Sequence, residues 1–214
     1  MRKAIGSFVT VFWLSASAVA AEEVVIAALG DSLTQGYGLN EGQGFVPQLQ
    51  AWLDANGADV RLLNAGVSGD TTAGGLARVD WTLTPEVDGM IVALGGNDML
   101  RGVQPTTSRA NLDGILAAAS EADVEVLLVG MQAPGNYGPD YKRDFDAMYP
   151  ELAETYDALL FADFFEGLGV ENGDPASVRA LMQPDGIHPG AEGVSRIVEA
   201  MGPAVLDLVA RLQD

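Results

Sequence analysis

The chain contains no cysteine and only one histidine. Without cysteine it can form neither a disulfide framework nor a lipid-bearing cysteine anchor. The same shortage excludes the usual zinc ligand sets and leaves only unfavourable all-carboxylate sites, so we expect no metal. Any chemistry that requires a histidine must therefore use His188.

Basic residues are also scarce, with 11 Lys and Arg against 30 Asp and Glu. Apart from the neighbours Lys142 and Arg143, those after the N-terminus are scattered singly. Nucleic-acid binding needs clustered Lys and Arg, so we expect no nucleic-acid partner. Neither a G-x-G-x-x-G run nor a G-x-x-x-x-G-K-[ST] run occurs, so dinucleotide and P-loop nucleotide cofactors are not predicted.

Long apolar runs are absent too, even at the N-terminus. Arg2 and Lys3 precede an apolar stretch over residues 5–14, and Ala18-Val19-Ala20 follows in the A-x-A pattern. The stretch is shorter than the roughly 20 residues that span a bilayer, which disfavours an uncleaved anchor. We expect residues 1–21 to be a cleaved secretory signal, with periplasmic or secreted localisation and no stable membrane anchor. The mature chain, without Arg2 and Lys3, would carry a charge of −21.

The rest of the chain shows no linker, so a single domain is predicted over residues 22–214. Short runs rich in Val, Ile and Leu alternate with longer helical segments, a pattern typical of a parallel α/β sheet. The predicted strands are 24–29, 60–65, 89–94, 124–131 and 159–164. The predicted helices are 45–55, 108–122, 141–158 and 191–212, with Pro150 and Gly202-Pro203 expected to bend or interrupt the last two.

Four segments lie where a parallel sheet places its reactive groups, beyond the carboxyl ends of strands. They are "GDSL" after the first strand, "NAGVSGDTT" after the second, "GGND" after the third and "PDGIHP" before the last helix. Each has two interpretations.

Ser32 follows Asp31 directly after a predicted strand, where Ser or Asp most often caps the next helix. The G-x-S-x-G elbow of ordinary α/β-hydrolases is absent, because the second residue after Ser32 is Thr34. A serine nucleophile would also need a base beside it. Ser32 is thus either a helix cap or a nucleophile.

His188 lies three residues after Asp185 in a segment that favours a turn. Gly186 permits a tight bend, and Pro189 restricts His188 to an extended conformation. Such a turn can bring the Asp185 carboxylate to Nδ1 and leave Nε2 free to take a serine proton. The alternative is that the segment only caps the last helix.

Asn97 and Gly69 are candidate oxyanion donors, Asn97 through its amide and Gly69 through its backbone N–H. The simpler interpretation makes Asn97 a turn cap and Gly69 a turn residue. Asp70 and Asp98 compete with Asp185 as partners of the histidine. Both rank below it, because neither is near His188 in sequence.

Taken together, the four ordered blocks resemble the SGNH hydrolase superfamily, the GDSL esterases and lipases. "GDSLTQGYG", "NAGVSGDTT", "LGGNDMLRGVQP", "PGNYG", "YPELA" and "DGIHP" resemble its periplasmic thioesterase I, lysophospholipase L1 and arylesterase branch. The resemblance implies a flavodoxin-like α/β/α fold with a five-stranded parallel sheet of order 2-1-3-4-5.

It also implies a role for each matching residue. Ser32, His188 and Asp185 would be nucleophile, base and orienting acid, and Ser32, Gly69 and Asn97 would form the oxyanion hole. Met99, Leu100, Pro134 and Tyr137 are expected to contact the acyl chain.

We therefore expect a secreted serine esterase, with no cofactor, that acts as a monomer on short to medium acyl esters. It would be arylesterase-like, with thioester and lysophospholipid cleavage as related activities. The alternatives are a carbohydrate deacetylase on the same scaffold and a non-catalytic flavodoxin-like module that binds an anion at residues 30–36.

Overall fold

The computed structural model describes residues 23–169 and 175–213. The predicted signal, residues 1–21, lies outside the described residues. None of the helices in the described part of the chain combines the length and the hydrophobicity needed to cross a membrane.

Five parallel strands form one sheet in the order β2-β1-β3-β4-β5, which confirms the predicted strand order. Their bounds are β1 Val24–Gly30, β2 Val60–Gly66, β3 Gly89–Ala93, β4 Glu125–Val129 and β5 Leu159–Phe161. Each starts within one residue of its prediction, and β1, β2 and β3 also end within one residue of it, but β4 ends two residues early and β5 ends three residues early. The apolar residues that follow β4 and β5, such as Met131 and Phe164, pack into the core from loops instead.

The central strands are buried on both faces of the sheet. All five residues of β3 are buried, as are six of the seven in β1. Strands covered on both sides need apolar residues at consecutive positions, which is why β1 and β3 read as continuous apolar runs.

Helices flank the sheet in two groups, so the fold is α/β with three layers. The bounds are α1 Ser32–Gln35, α2 Phe45–Ala55, α3 Thr72–Thr82, α4 Gly96–Leu100, α5 Pro105–Glu121, α6 Pro139–Thr155, α7 Pro175–Ala180 and α8 Ala191–Gln213. Short 3₁₀ turns occur at Gly135–Tyr137 and Glu166–Leu168. Helix α2 packs with α8, whereas α3 packs with α5 and α5 packs with α6.

Two prolines that were expected to bend or interrupt helices lie within continuous helices. Helix α6 continues through Pro150 and α8 continues through Pro203. Gly202 instead has a packing role, because a Cβ there would lie 2.6 Å from the Trp52 ring of α2. Helix α5 starts earlier than predicted, with Pro105 in its first turn, a position where the missing N–H of proline costs nothing.

Strand register aligns the ends of three strands at one edge. Gly30 of β1 is paired with Gly66 of β2 and with Ala93 of β3. The "GDSL", "NAGVSGDTT" and "GGND" segments therefore emerge side by side at the carboxyl edge of the sheet.

Candidate active site

Ser32 is the first residue of α1, and Asp31 is its cap. The Asp31 Oδ1 atom accepts a hydrogen bond from the Leu33 N–H at 3.0 Å. Because Asp31 takes the capping role, the Ser32 hydroxyl is available for another partner. That partner is His188, whose Nε2 lies 2.8 Å from Ser32 Oγ.

The other ring nitrogen of His188 contacts the predicted carboxylate. Nδ1 lies 2.6 Å from Asp185 Oδ2. An ionised carboxylate can only accept hydrogen bonds, so Nδ1 carries the proton and Nε2 is left as the acceptor for the Ser32 hydroxyl. Ser32, His188 and Asp185 thus form one continuous hydrogen-bonded series.

Asp185 is held ionised by its own turn. The His188 ring, followed by the backbone N–H groups of Ile187 and His188, lowers the pKa of the Asp185 carboxyl from 3.8 to about 2. Both N–H groups lie 3.0 Å from Oδ1. Gly186 makes this turn possible because its φ of +68° is rarely adopted by other residues.

Gln183 ties this turn to the segment that follows α1, a contact that the sequence patterns do not predict. Its side-chain Nε2 donates to the Tyr37 carbonyl at 2.8 Å and to the Pro189 carbonyl at 3.1 Å. The Tyr37 ring in turn packs against the His188 ring, with centroids 4.8 Å apart. These contacts fix the imidazole against the loop after Ser32.

Gly69 and Asn97 lie beside Ser32 on the wall of the same cavity. Gly69 has a φ of +87°, and Asn97 lies in the first turn of α4. Asn97 Nδ2 donates to Asp31 Oδ2 at 3.1 Å, a bond that uses one of the two amide hydrogens. Among the described residues, neither the Ser32 N–H nor the Gly69 N–H donates to a protein acceptor.

Asp31 is an almost fully buried carboxyl at the centre of this arrangement. Burial raises its pKa, and the hydrogen bonds from Leu33 and Asn97 offset part of that rise. From the sequence, Asp31 was interpreted only as a helix cap. The long-range bond to Asn97 had no signal in the sequence.

The two competing carboxylates bind other partners. Asp70 forms an ion pair with Arg78 at 2.6 Å. Asp98 is fully buried and accepts hydrogen bonds from the Thr72 N–H, the Thr72 hydroxyl and the Ser108 hydroxyl, at 2.6 to 2.9 Å. Within residues 23–169 and 175–213 there is no group of three His, Cys, Asp or Glu side chains that could hold a metal ion.

A cavity of about 640 Å³ opens beside Ser32 and His188. Its wall is mainly apolar and includes Leu33, Met99, Leu100, Met131, Phe165, Leu168, Val178, Met182 and Ile187. The lining among the described residues does not include Pro134 or Tyr137, although both were expected to touch an acyl chain. Tyr137 packs on Tyr141 instead, with ring centroids 4.9 Å apart.

The lining residues that sequence reasoning missed come mostly from after β5. Phe165 and Leu168 lie on or next to a 3₁₀ turn, Val178 lies on α7 and Met182 follows that helix. The segments that carry them are too short for hydrophobic periodicity to indicate which face they present.

A serine, a histidine and a carboxylate joined in this way at the carboxyl edge of a parallel sheet are typical of serine hydrolases. Residues 28–196 match the GDSL-like Lipase/Acylhydrolase family. The chain belongs to this family of esterases and acylhydrolases.

Individual relatives cover most of the chain. It is 39% identical over 185 residues to Esterase TesA of Pseudomonas aeruginosa strain PAO1, covering 86% of this chain and 89% of the relative. It is 34% identical over 203 residues to Thioesterase 1/protease 1/lysophospholipase L1 of Escherichia coli K12, covering 94% and 92%. The crystal structure of AlinE4, an SGNH-hydrolase family esterase, has 44% identity and a TM-score of 0.71, over 88% of this chain and 97% of that one.

Proposed function

We propose that the protein is an exported serine esterase that hydrolyses short to medium acyl esters. The observation that carries the proposal is the hydrogen-bonded series from Ser32 through His188 to Asp185 at the wall of an apolar cavity. A nucleophile, a base and an orienting group in contact are the parts that acyl transfer requires.

In the first half of the reaction, Ser32 Oγ attacks the acyl carbonyl carbon and its proton passes to His188 Nε2. The Asp185 carboxylate keeps the ring oriented and stabilises the imidazolium that forms. The tetrahedral intermediate then collapses, the C–O bond to the alcohol breaks, and the alcohol leaves with the proton from Nε2. An acyl group remains on Ser32.

In the second half, water attacks the acyl-enzyme and His188 takes a proton from that water. Collapse of the second tetrahedral intermediate releases the carboxylic acid and returns the proton to Ser32 Oγ. Each half develops a negative charge on the former carbonyl oxygen. The N–H groups of Ser32 and Gly69 and the second amide hydrogen of Asn97 are the donors that would stabilise it.

The cavity and the charge of the chain support an uncharged acyl ester as the preferred substrate. A mainly apolar wall suits an acyl chain, and its volume falls in the ordinary range for small-ligand sites, roughly 300 to 1,000 Å³. The mature charge of −21 disfavours polyanionic ligands such as coenzyme A esters. Thioester and lysophospholipid cleavage would then be secondary activities.

The decisive experiment compares the mature chain with its Ser32→Ala variant on p-nitrophenyl esters of increasing chain length, matched acyl-CoA and lysophospholipid. Ser120→Ala is the matched control, because Ser120 is exposed at the end of α5. We expect turnover of the aryl esters to disappear in Ser32→Ala only. A fluorophosphonate probe should label Ser32, as read by mass spectrometry. Substantial turnover by Ser32→Ala, or labelling at another residue, would refute the proposal.

The proposed export rests on the N-terminal sequence alone. Arg2 and Lys3, the short apolar stretch and the Ala18-Val19-Ala20 pattern support cleavage after Ala20 or Ala21. Fractionation of cells that express the full chain should find active protein outside the cytoplasm, beginning at residue 21 or 22. Active protein that stays in the cytoplasm with residues 1–21 attached would contradict it.

A further inference from the structure

We propose that Arg78 is a positioning residue that sets the distance between the Gly69 N–H and Ser32. It lies on α3 and was not singled out by any sequence pattern. This inference rests on the proposed esterase function, because it concerns the geometry of the same oxyanion site.

Three hydrogen bonds from one guanidinium group carry the proposal. Nη2 donates to the Gly30 carbonyl at 2.8 Å, Nη1 donates to the Ala65 carbonyl at 2.7 Å, and Nε donates to Asp70 Oδ2 at 2.6 Å. The side chains of Arg78 and Asp70 are only 21% and 19% exposed, so this cluster is shielded from solvent.

The three acceptors belong to the segments that carry two of the proposed oxyanion donors, Ser32 and Gly69. Gly30 ends β1, two residues before Ser32. Ala65 and Asp70 stand on either side of residues 66–69, so the guanidinium is bonded at both ends of the loop that contains Gly69. One rigid group therefore links the loop to the strand end that precedes the nucleophile.

Other contacts hold the same loop but do not replace this link. The Val67 N–H also donates to the Gly30 carbonyl, at 3.0 Å. On the far side of the loop, Arg101 Nη2 donates to the Gly69 carbonyl at 2.9 Å. Arg78 alone among these joins the Gly30 carbonyl to the Asp70 side of the loop.

The geometry requires an arginine. A guanidinium presents five N–H donors in one fixed plane, whereas an ammonium group is a compact charge on a flexible stem. Lysine at position 78 could pair with Asp70 but could not reach both carbonyls in the same fixed directions. Arg78→Lys keeps the positive charge and changes only the hydrogen-bond geometry, so it tests the geometry separately from the charge.

Oxyanion donors act only at short range, which makes their placement critical. Removal of one donor typically lowers kcat by about 10² to 10³-fold. A misplacement of about 1 Å can cost on the order of 10²-fold. For Arg78→Met we expect a fall of roughly 10 to 100-fold in kcat with little change in KM, and a smaller fall for Arg78→Lys.

The test must separate oxyanion placement from general loss of structure. An alkylboronic acid adds to Ser32 Oγ and forms a tetrahedral anion that needs the donors. The alcohol of the same chain length needs only the apolar cavity. In Arg78→Met we expect affinity for the boronic acid to fall by roughly 10-fold or more while inhibition by the alcohol is unchanged.

Arg109→Met is the matched control, because Arg109 forms an exposed ion pair with Glu151 on the helices α5 and α6. It should alter neither ligand's affinity. If Arg78→Met does not fold, Asp70→Asn leaves the guanidinium in place without its charged partner and should shift boronic acid affinity in the same direction.

The outcomes distinguish this inference from the proposed function. Wild-type kcat in folded Arg78→Met, or an equal loss of boronic acid and alcohol affinity, overturns the role of Arg78. Undiminished turnover by Ser32→Ala overturns the esterase mechanism itself, whatever Arg78 does.

Discussion

Replacing Asn97 with alanine should lower both the turnover and the stability of the protein, through the loss of two different interactions. Asn97 Nδ2 donates to Asp31 Oδ2 at 3.1 Å, and its other amide hydrogen is the proposed oxyanion donor. The variant loses both interactions. Loss of the donor should lower kcat by about 10² to 10³-fold, equivalent to about 3 to 4 kcal/mol of transition-state stabilisation.

The second loss falls on a buried carboxylate. Asp31 is 2% exposed and keeps only the Leu33 N–H on its other oxygen when Asn97 is removed. A buried acceptor left without its partner costs about 1 to 3 kcal/mol of folding free energy. The pKa of Asp31 should also rise further, because the Asn97 hydrogen bond lowers it.

Asn111→Ala provides the matched control. Asn111 is also partly buried, and its Nδ2 donates to the buried Thr72 hydroxyl at 3.0 Å, away from the cavity. It should lose about 0.5 to 1.5 kcal/mol of stability and keep its kcat. Initial rates on p-nitrophenyl butyrate and urea unfolding give the two quantities. A kcat for Asn97→Ala within about threefold of wild type, or an equal fall in Asn111→Ala, would refute the oxyanion assignment.

Three further changes test other parts of the site. Because the folded protein lowers the pKa of Asp185 from 3.8 to about 2, the stabilising contribution of its carboxylate should be complete above pH 3.8 and lost as the pH falls through 2. The difference in unfolding free energy between wild type and Asp185→Asn should decrease over the same pH range. A difference that does not change with pH would contradict this prediction. Leu100→Asp places a charge on the apolar cavity wall and should reduce kcat/KM for long acyl chains more than for acetate, so an unchanged chain-length profile would count against this contact. Gly95→Ala puts a side chain at φ +122° and against the Tyr149 hydroxyl. Urea unfolding should therefore show a loss of about 1 to 3 kcal/mol in the free energy of unfolding, the usual cost of a strained backbone position. Wild-type stability would show that the loop adapts.

The sheet could be predicted from sequence because its signals are local. Buried parallel strands need consecutive apolar residues, and β1 and β3 have them. The positions of Ser32, Gly69 and Asn97 after successive strands then follow from the rule that parallel strands share one carboxyl edge. Asp185 could be paired with His188 because the two are only three residues apart.

Contacts between residues distant in sequence could not be predicted in this way. From the sequence, Asp98 was a second candidate partner for the histidine. In the structure it accepts hydrogen bonds from the Thr72 and Ser108 hydroxyls, 26 and 10 residues away. Arg78 bonds to Gly30 across 48 residues of sequence. Such pairings depend on how α3 and α5 pack, and amphipathic patterns do not specify them.

The span of chain between Ser32 and His188 has a consequence for when hydrolysis can begin. The two residues are 156 positions apart, and Gln183 secures the turn that holds His188 to Tyr37. A growing polypeptide therefore contains the serine long before its base exists. In the proposed esterase, this order of synthesis leaves an unfinished chain without the base that would activate its serine. Because the contact between Ser32 and His188 closes a long loop of chain, recovery of activity should also be one of the last events when the complete denatured protein refolds.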